Sequence, residues 1–215
     1  MQKAIVFDMD GVIFDTEALC LKLWQKISDR HGEGDMTEFA LGMAGMGVEE
    51  AKAFAKKTFG EDYPYELRRA ELREEFKNFA SENPIPQKEG VNEIFKFLKQ
   101  HGYKIALASS TRRESVESHL KGAGLFDIFD AIVCGDDVKI GKPNPDIYLT
   151  ACKKLNVNSK EAFAVEDSYN GVKSASSAGM KVIMVPDLLP PIEEIKKLTF
   201  SVQNSLLDVI NILPQ

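Results

Sequence analysis

The stretch Ala4-Ile5-Val6-Phe7-Asp8-Met9-Asp10-Gly11 decides the fold. Four consecutive apolar residues, Ala4–Phe7, fit a strand buried on both faces, because a half-exposed strand would alternate. Two acids and a glycine follow at once. In an open parallel sheet, ligands bind beyond the carboxyl ends of the strands. Acids at such an end are placed for chemistry. Gly11 allows the chain to turn tightly beside a substrate.

Working outward, similar apolar runs recur at Ile105–Ala108, Ala131–Cys134, Ala162–Val165 and Val182–Val185. Helical patterns separate them. Val91–Gln100 puts Ile94, Phe95 and Leu98 on one face; Ser115–Lys121 stops at Gly122; Asp146–Leu155 follows Pro143 and Pro145. This alternation predicts an α/β fold with a doubly wound parallel sheet. Phe200–Val202 reads as an edge strand and Leu206–Leu213 as a terminal helix.

One long piece breaks the alternation. From Thr16 to about Ser81 there is no strand pattern, and Thr16–His31, Val48–Phe59 and Pro64–Ala80 read as helices. Ser81–Glu89, with Pro84 and Pro86, reads as the return linker. The expected organisation is a discontinuous α/β core, residues 1–15 and 86–215, carrying a small all-helical cap, residues 16–85.

A chain of 215 residues has room for such an insertion. With 44% apolar and 28% charged residues it fits a globular protein that needs no staples. A formal charge of −6 argues against a broad basic surface for nucleic acid. Cys20, Cys134 and Cys152 are odd in number and form no CxxC pair, so neither a disulfide framework nor a zinc knuckle is expected. No apolar stretch approaches the ~20 residues of a membrane span. Asp8 and Asp10 interrupt the only N-terminal apolar run, so no signal peptide is expected. The reading is a cytoplasmic protein, monomer or weak homodimer, with no nucleic-acid or membrane partner.

Each further strand end carries polar residues. Ser109, Ser110 and Thr111 follow the second run. Gly135, Asp136 and Asp137 follow the third and lead to a loop bearing Lys142. Glu166, Asp167 and Ser168 follow the fourth. Converging on one sheet edge, these make a pocket with Asp8, Asp10, Glu166 and Asp167. Two like charges 5 Å apart repel by roughly 3 kcal/mol at an effective dielectric near 20. The set therefore calls for a cation. All-oxygen ligands indicate a hard ion, and Mg2+ fits best if phosphate oxygens and waters complete its shell.

Ser109 and adjacent amides can donate to a phosphate, and Lys142 can neutralise it. Asp8 would be a carboxylate nucleophile, and Asp10 a general acid and then base. Each feature alone has an ordinary structural explanation: loop acids, a helix-capping hydroxyl cluster, a solvated lysine, acids at a helix start. Their order at successive strand ends favours phosphate chemistry.

Together, Asp8-Met9-Asp10-Gly11-Val12, Ser109 after Lys104–Ala108, Lys142 in Gly141-Lys142-Pro143, and Glu166-Asp167-Ser168 with Asn170-Gly171 resemble the four motifs of the haloacid dehalogenase superfamily of phosphotransferases. The resemblance spans nearly the whole chain. The helical insertion resembles the small cap of the subgroup containing phosphoglycolate phosphatases and beta-phosphoglucomutase. It implies Asp8 as nucleophile and Asp10 as acid/base, with Ser109, Ser110, Lys142 and Thr16 serving the substrate and its phosphate. Magnesium would be held by the Asp8 side chain, the Asp10 main-chain carbonyl and Asp167, with Glu166 direct or through water. The second acid, Asp10, argues against a true dehalogenase.

The resembled mutases carry a cap histidine where this chain has Cys20, and a cap arginine that is missing near Gly45-Met46-Gly47-Val48-Glu49-Glu50. Arg68, Arg69 and Arg73 read as a solvated helix face. Hydrolysis of a small phosphorylated metabolite, a sugar phosphate in class, is therefore expected. A hexose-phosphate mutase is the alternative. A catalytically silent phosphate-binding module is a third, which loss of Asp8 or Asp10 would have favoured. His31, His101 and His119 fall near helix ends and read as surface residues. Met43 and Met46 among Gly42, Gly45 and Gly47 fit either an adaptable substrate loop or cap packing.

Overall fold

The structure, a computed structural model, describes residues 3–43, 46 and 48–214. The strands are β1 Ala4–Phe7, β2 Lys104–Ala108, β3 Ala131–Val133, β4 Ala162–Glu166, β5 Lys181–Met184 and β6 Ser201–Val202. The helices are α1 Thr16–His31, α2 Thr37–Met43, α3 Val48–Phe59, α4 Tyr65–Glu82, α5 Val91–Gln100, α6 Arg113–Gly122, α7 Asp146–Leu155, α8 Tyr169–Ser177, α9 Glu193–Lys196 and α10 Leu206–Ile212. The chain forms two compact units, Met1–Asp15 with Ile85–Gln215, and Thr16–Pro84.

In the first unit all six strands are parallel, in the order β3-β2-β1-β4-β5-β6. The fold is the expected doubly wound α/β sheet. Alternate residues of β1 serve opposite layers. Ala4 and Val6 join a core with Ile147, Tyr148 and Ala151 of α7 and Val172 and Ala175 of α8. Phe7 meets Phe95 of α5 edge-on, with ring centres 5.3 Å apart.

The chain adds β2 and β3 on one side of β1 and then returns to add β4 on the other. The strand order therefore reverses between β1 and β4, and that crevice is where such sheets bind ligands. Phe7 is level with Leu107 of β2 and Val165 of β4, so Asp8 is level with Glu166 and Ser109 follows one residue further along β2.

The second unit is helical. Trp24, Met36, Phe39, Ala51, Ala55 and Tyr65 form its core. Phe39 is central, edge-on to Trp24 and stacked on Phe54 at 5.7 Å. Helix α2, which carries it, escapes a periodicity reading because only Phe39 of its seven residues is buried. Met43 and Met46 pack against this core, while Gly45 and Gly47 lie outside the described residues.

Two expectations need correction. Helix α4 runs to Glu82, so Ser81 and Glu82 are helical and the return segment starts at Asn83, whose N–H closes the last turn on Phe79 O. Arg68 is not on a solvated face. Its side chain is 13% exposed and is held by Glu33 at 2.6 Å and Glu71 at 3.0 Å. Among the described residues no helix is long and apolar enough to cross a membrane.

Candidate active site

Asp8 leaves β1 with its N–H bonded to Val165 O at 3.0 Å, which fixes it on the β4 side of the crevice. Lys142 Nζ stands 2.6 Å from Asp8 Oδ1 and 2.6 Å from Glu166 Oε1. The lysine side chain is only 7% exposed, and Glu166 is fully buried. Burial by itself would lower the lysine pKa, but the two carboxylates outweigh it and hold the ammonium charged. Burial pushes the Asp8 carboxyl up, to about 7, with Glu166 and Asp10 adding to the rise against the pull of Lys142. Without further positive charge the nucleophile candidate holds its proton to a higher pH than an ordinary aspartate. A cation at this site would restore its charge.

Glu166 is saturated with donors. Oε1 accepts from Lys142 and from the Tyr148 hydroxyl at 2.7 Å. Oε2 accepts from Asp167 N at 3.1 Å, Ser168 N at 3.3 Å and Ser168 Oγ at 3.1 Å. Burial, then the neighbouring Glu166, drive the Tyr148 pKa well above its usual value, so Tyr148 stays a phenol and a donor. Ser168 also caps α8, accepting from Gly171 N at 3.1 Å. A Cβ on Gly171 would overlap the Glu166 carboxyl group, so only glycine leaves room for it.

Asp10 is fixed from the other side of β1. Thr111 Oγ1 donates to Asp10 Oδ2 at 2.8 Å. Ser109, fully buried, accepts from Thr111 N at 3.1 Å and thereby shapes the turn that presents Thr111. Gly11 has a left-handed φ of 76°, and a Cβ there would overlap Asp167 Oδ2. Conformation and space both demand glycine. Oxygens of Asp8, Glu166 and Asp167 lie within 4.8 Å of one another, an all-oxygen group able to hold a metal ion.

The structure thus brings together Asp8, Asp10, Ser109, Lys142, Glu166 and Asp167. Ser110 is exposed, and its carbonyl packs where a Cβ on Gly135 would stand. Thr16 starts α1 in the other unit, with its hydroxyl buried. His119 is not a surface residue. It is half-buried, edge-on to Phe14 with ring centres 6.2 Å apart, and burial lowers its pKa. Tyr148 was not legible as a site residue, because it sits in an ordinary amphipathic helix. Thr111 was visible only as part of a hydroxyl run.

The family model for haloacid dehalogenase-like hydrolases matches residues 5–185. The chain belongs to that family. As a haloacid dehalogenase-like hydrolase it is an enzyme of the phosphatase and phosphotransferase type. The phosphorylated carbohydrates phosphatase of Thermotoga maritima is 33% identical over 181 residues, covering 84% of this chain and 83% of that protein. The beta-phosphoglucomutase of Bacillus subtilis is 31% identical over 189 residues, covering 85% and 83%. The crystal structure of CbbY from Rhodobacter sphaeroides in complex with phosphate superposes with a TM-score of 0.76 at 28% identity, covering 97% of this chain and 96% of that one. Haloacid dehalogenase-like hydrolases generally use a divalent metal ion, and the acidic group described above suits one.

Proposed function

We propose that the protein is a magnesium-dependent hydrolase of a small phosphomonoester, a sugar phosphate in class, working through an aspartyl phosphate on Asp8. The observation that carries the reading is the buried Lys142 ammonium bridging Asp8 and Glu166 at 2.6 Å each. It aims one oxygen-rich nucleophile at the mouth of the sheet and adds positive charge for a phosphate. The carbohydrate-phosphate relative supports the substrate class.

The residues fit magnesium. The donor set is all oxygen, and Asp8 and Asp167 are the carboxylates best placed to hold the ion, because both oxygens of Glu166 are already engaged by donors. When bound, the ion supplies charge neutralisation and polarisation of phosphoryl oxygens. Asp8 attacks phosphorus, and the bond between phosphorus and the ester oxygen breaks. Asp10, oriented by Thr111, gives its proton to the departing alkoxide. Asp10 then takes a proton from water as the water attacks the phosphoryl group, and the bond to Asp8 breaks to release phosphate. Lys142 keeps Asp8 in line throughout, and Ser109 offers its hydroxyl proton to the phosphate.

Water is the favoured second acceptor. Arg68 of the cap unit is committed to Glu33 and Glu71 and is not a free cation for a second phosphate. The test is a magnesium-dependent screen of phosphorylated sugars, β-glucose 1-phosphate included and primed with glucose 1,6-bisphosphate, with free phosphate and sugar isomers both quantified. Free phosphate without isomerisation is expected. Isomerisation with little free phosphate would establish mutase chemistry, and formation of neither product would overturn the sugar-phosphate substrate class.

A further inference from the structure

Asp187, just beyond β5, has a side chain only 9% exposed. Its Oδ1 accepts from Lys88 Nζ at 2.7 Å, and Lys88 also reaches Asp15 Oδ1 at 3.5 Å. Its Oδ2 is buried and meets no donor among the described residues. Leaving such an acceptor without a donor costs about 1–3 kcal/mol or more. The oxygen has a definite direction. The point where a Cβ on Gly11 would stand lies 3.3 Å from Asp187 Oδ2 and overlaps Asp167 Oδ2. The orphan oxygen thus shares the bare face of Gly11 with a carboxylate of the acidic group. Lys88 divides one positive charge between two acids, so it does not complete the demand of Asp187.

We propose that Asp187 is a positioning residue for the metal centre: its Oδ2 accepts a hydrogen bond from a water carried by the divalent ion, while Lys88 fixes the carboxylate through Oδ1. This rests on the magnesium reading above. A metal-bound water fits because it is a donor, and the two oxygens that face Gly11, Asp167 Oδ2 and Asp187 Oδ2, are acceptors. Partners of this kind, one step removed from the ligands, typically change metal affinity by about 10–100-fold when lost.

The experiment titrates the metal-free full chain with Mg2+ and with Mn2+ by calorimetry, for wild type, Asp187→Asn, Asp187→Ser and Lys88→Gln. Asp187→Asn keeps the size of the side chain and an acceptor for Lys88, but can put a donor where Oδ2 stood. Asp187→Ser removes the carboxylate without bulk. Both are expected to bind each ion about tenfold more weakly while retaining the wild-type circular dichroism. Lys88→Gln leaves the Oδ2 acceptor and a neutral donor to Oδ1, and is expected to weaken the ion clearly less than loss of the acceptor while lowering the melting temperature. Wild-type affinity in folded Asp187→Asn or Asp187→Ser would overturn the proposal. So would equal weakening by Lys88→Gln, which would make Asp187 a mere loop anchor. Failure of the wild type to bind either ion would instead sink the magnesium reading itself.

Discussion

Gly171, in the first turn of α8, occupies the space that lets the Glu166 carboxylate lie buried against the helix start. Any side chain at 171 must displace a group that receives Lys142, Tyr148, Ser168 and two main-chain amides. Gly171→Ala is expected to destabilise the protein by about 1–3 kcal/mol, the usual cost of overpacking. It should also lower kcat, because Lys142 moves with Glu166. Urea unfolding and steady-state kinetics check both; wild-type behaviour in both would show that the carboxylate relaxes freely.

Lys142 bridges two buried carboxylates with one positive charge. Removing one partner of such a set leaves uncompensated charge and typically costs about 3–5 kcal/mol. Lys142→Met should therefore be inactive and, in chelator, destabilised by that amount. Saturating magnesium should recover part of the loss, because the ion restores positive charge beside Asp8. Equal destabilisation with and without magnesium would place the metal elsewhere.

Thr111 holds the carboxylate assigned as acid and base, at 2.8 Å. Thr111→Val keeps the shape and removes the donor. A hydrogen bond of ordinary net strength, about 1.4 kcal/mol, corresponds to roughly tenfold in rate. The expected result is kcat down about tenfold with KM little changed. A change confined to KM would assign Thr111 to substrate binding.

The raised Asp8 pKa has a consequence for stability. An unfolded aspartate releases its proton near pH 4, whereas folded, metal-free Asp8 holds its proton until about 7. Between those values the folded state binds more protons, so the Asp8 contribution to stability falls as pH rises and levels off above the folded pKa. In chelator, the stability of wild type minus that of Asp8→Asn should fall from about pH 5 to about pH 8. Saturating magnesium should flatten this difference, since the ion takes the ionised carboxylate. Denaturant titrations at several pH values test the sign; a rising difference would contradict it.

Much of this was legible in the sequence for a physical reason. Strands buried on both faces read as continuous apolar runs, and Asp8, Ser109 and Glu166 each terminate one, so their convergence follows from parallel topology alone. The acidic nature of the pocket and its need for a cation follow from charge. What was not legible depends on approach between distant segments. Tyr148 looks like any apolar-face residue of α7 until the fold sets its hydroxyl on Glu166. Asp187 is an ordinary loop acid until β5 carries it to Gly11. Helix α2 buries one residue and leaves no periodic trace. Arg68 resembled a solvated charge because its partner Glu33 lies far away in sequence.

The most direct measurement is a borohydride quench during turnover of the best substrate from the phosphorylated-sugar panel, followed by peptide mass spectrometry. An acyl phosphate on Asp8 would be reduced to homoserine at that position alone, only with substrate and magnesium present, and not in Asp8→Asn. That is the predicted result. Rapid phosphate release with unmodified Asp8 throughout, or steady turnover by Asp8→Asn, would contradict Asp8 as the nucleophile.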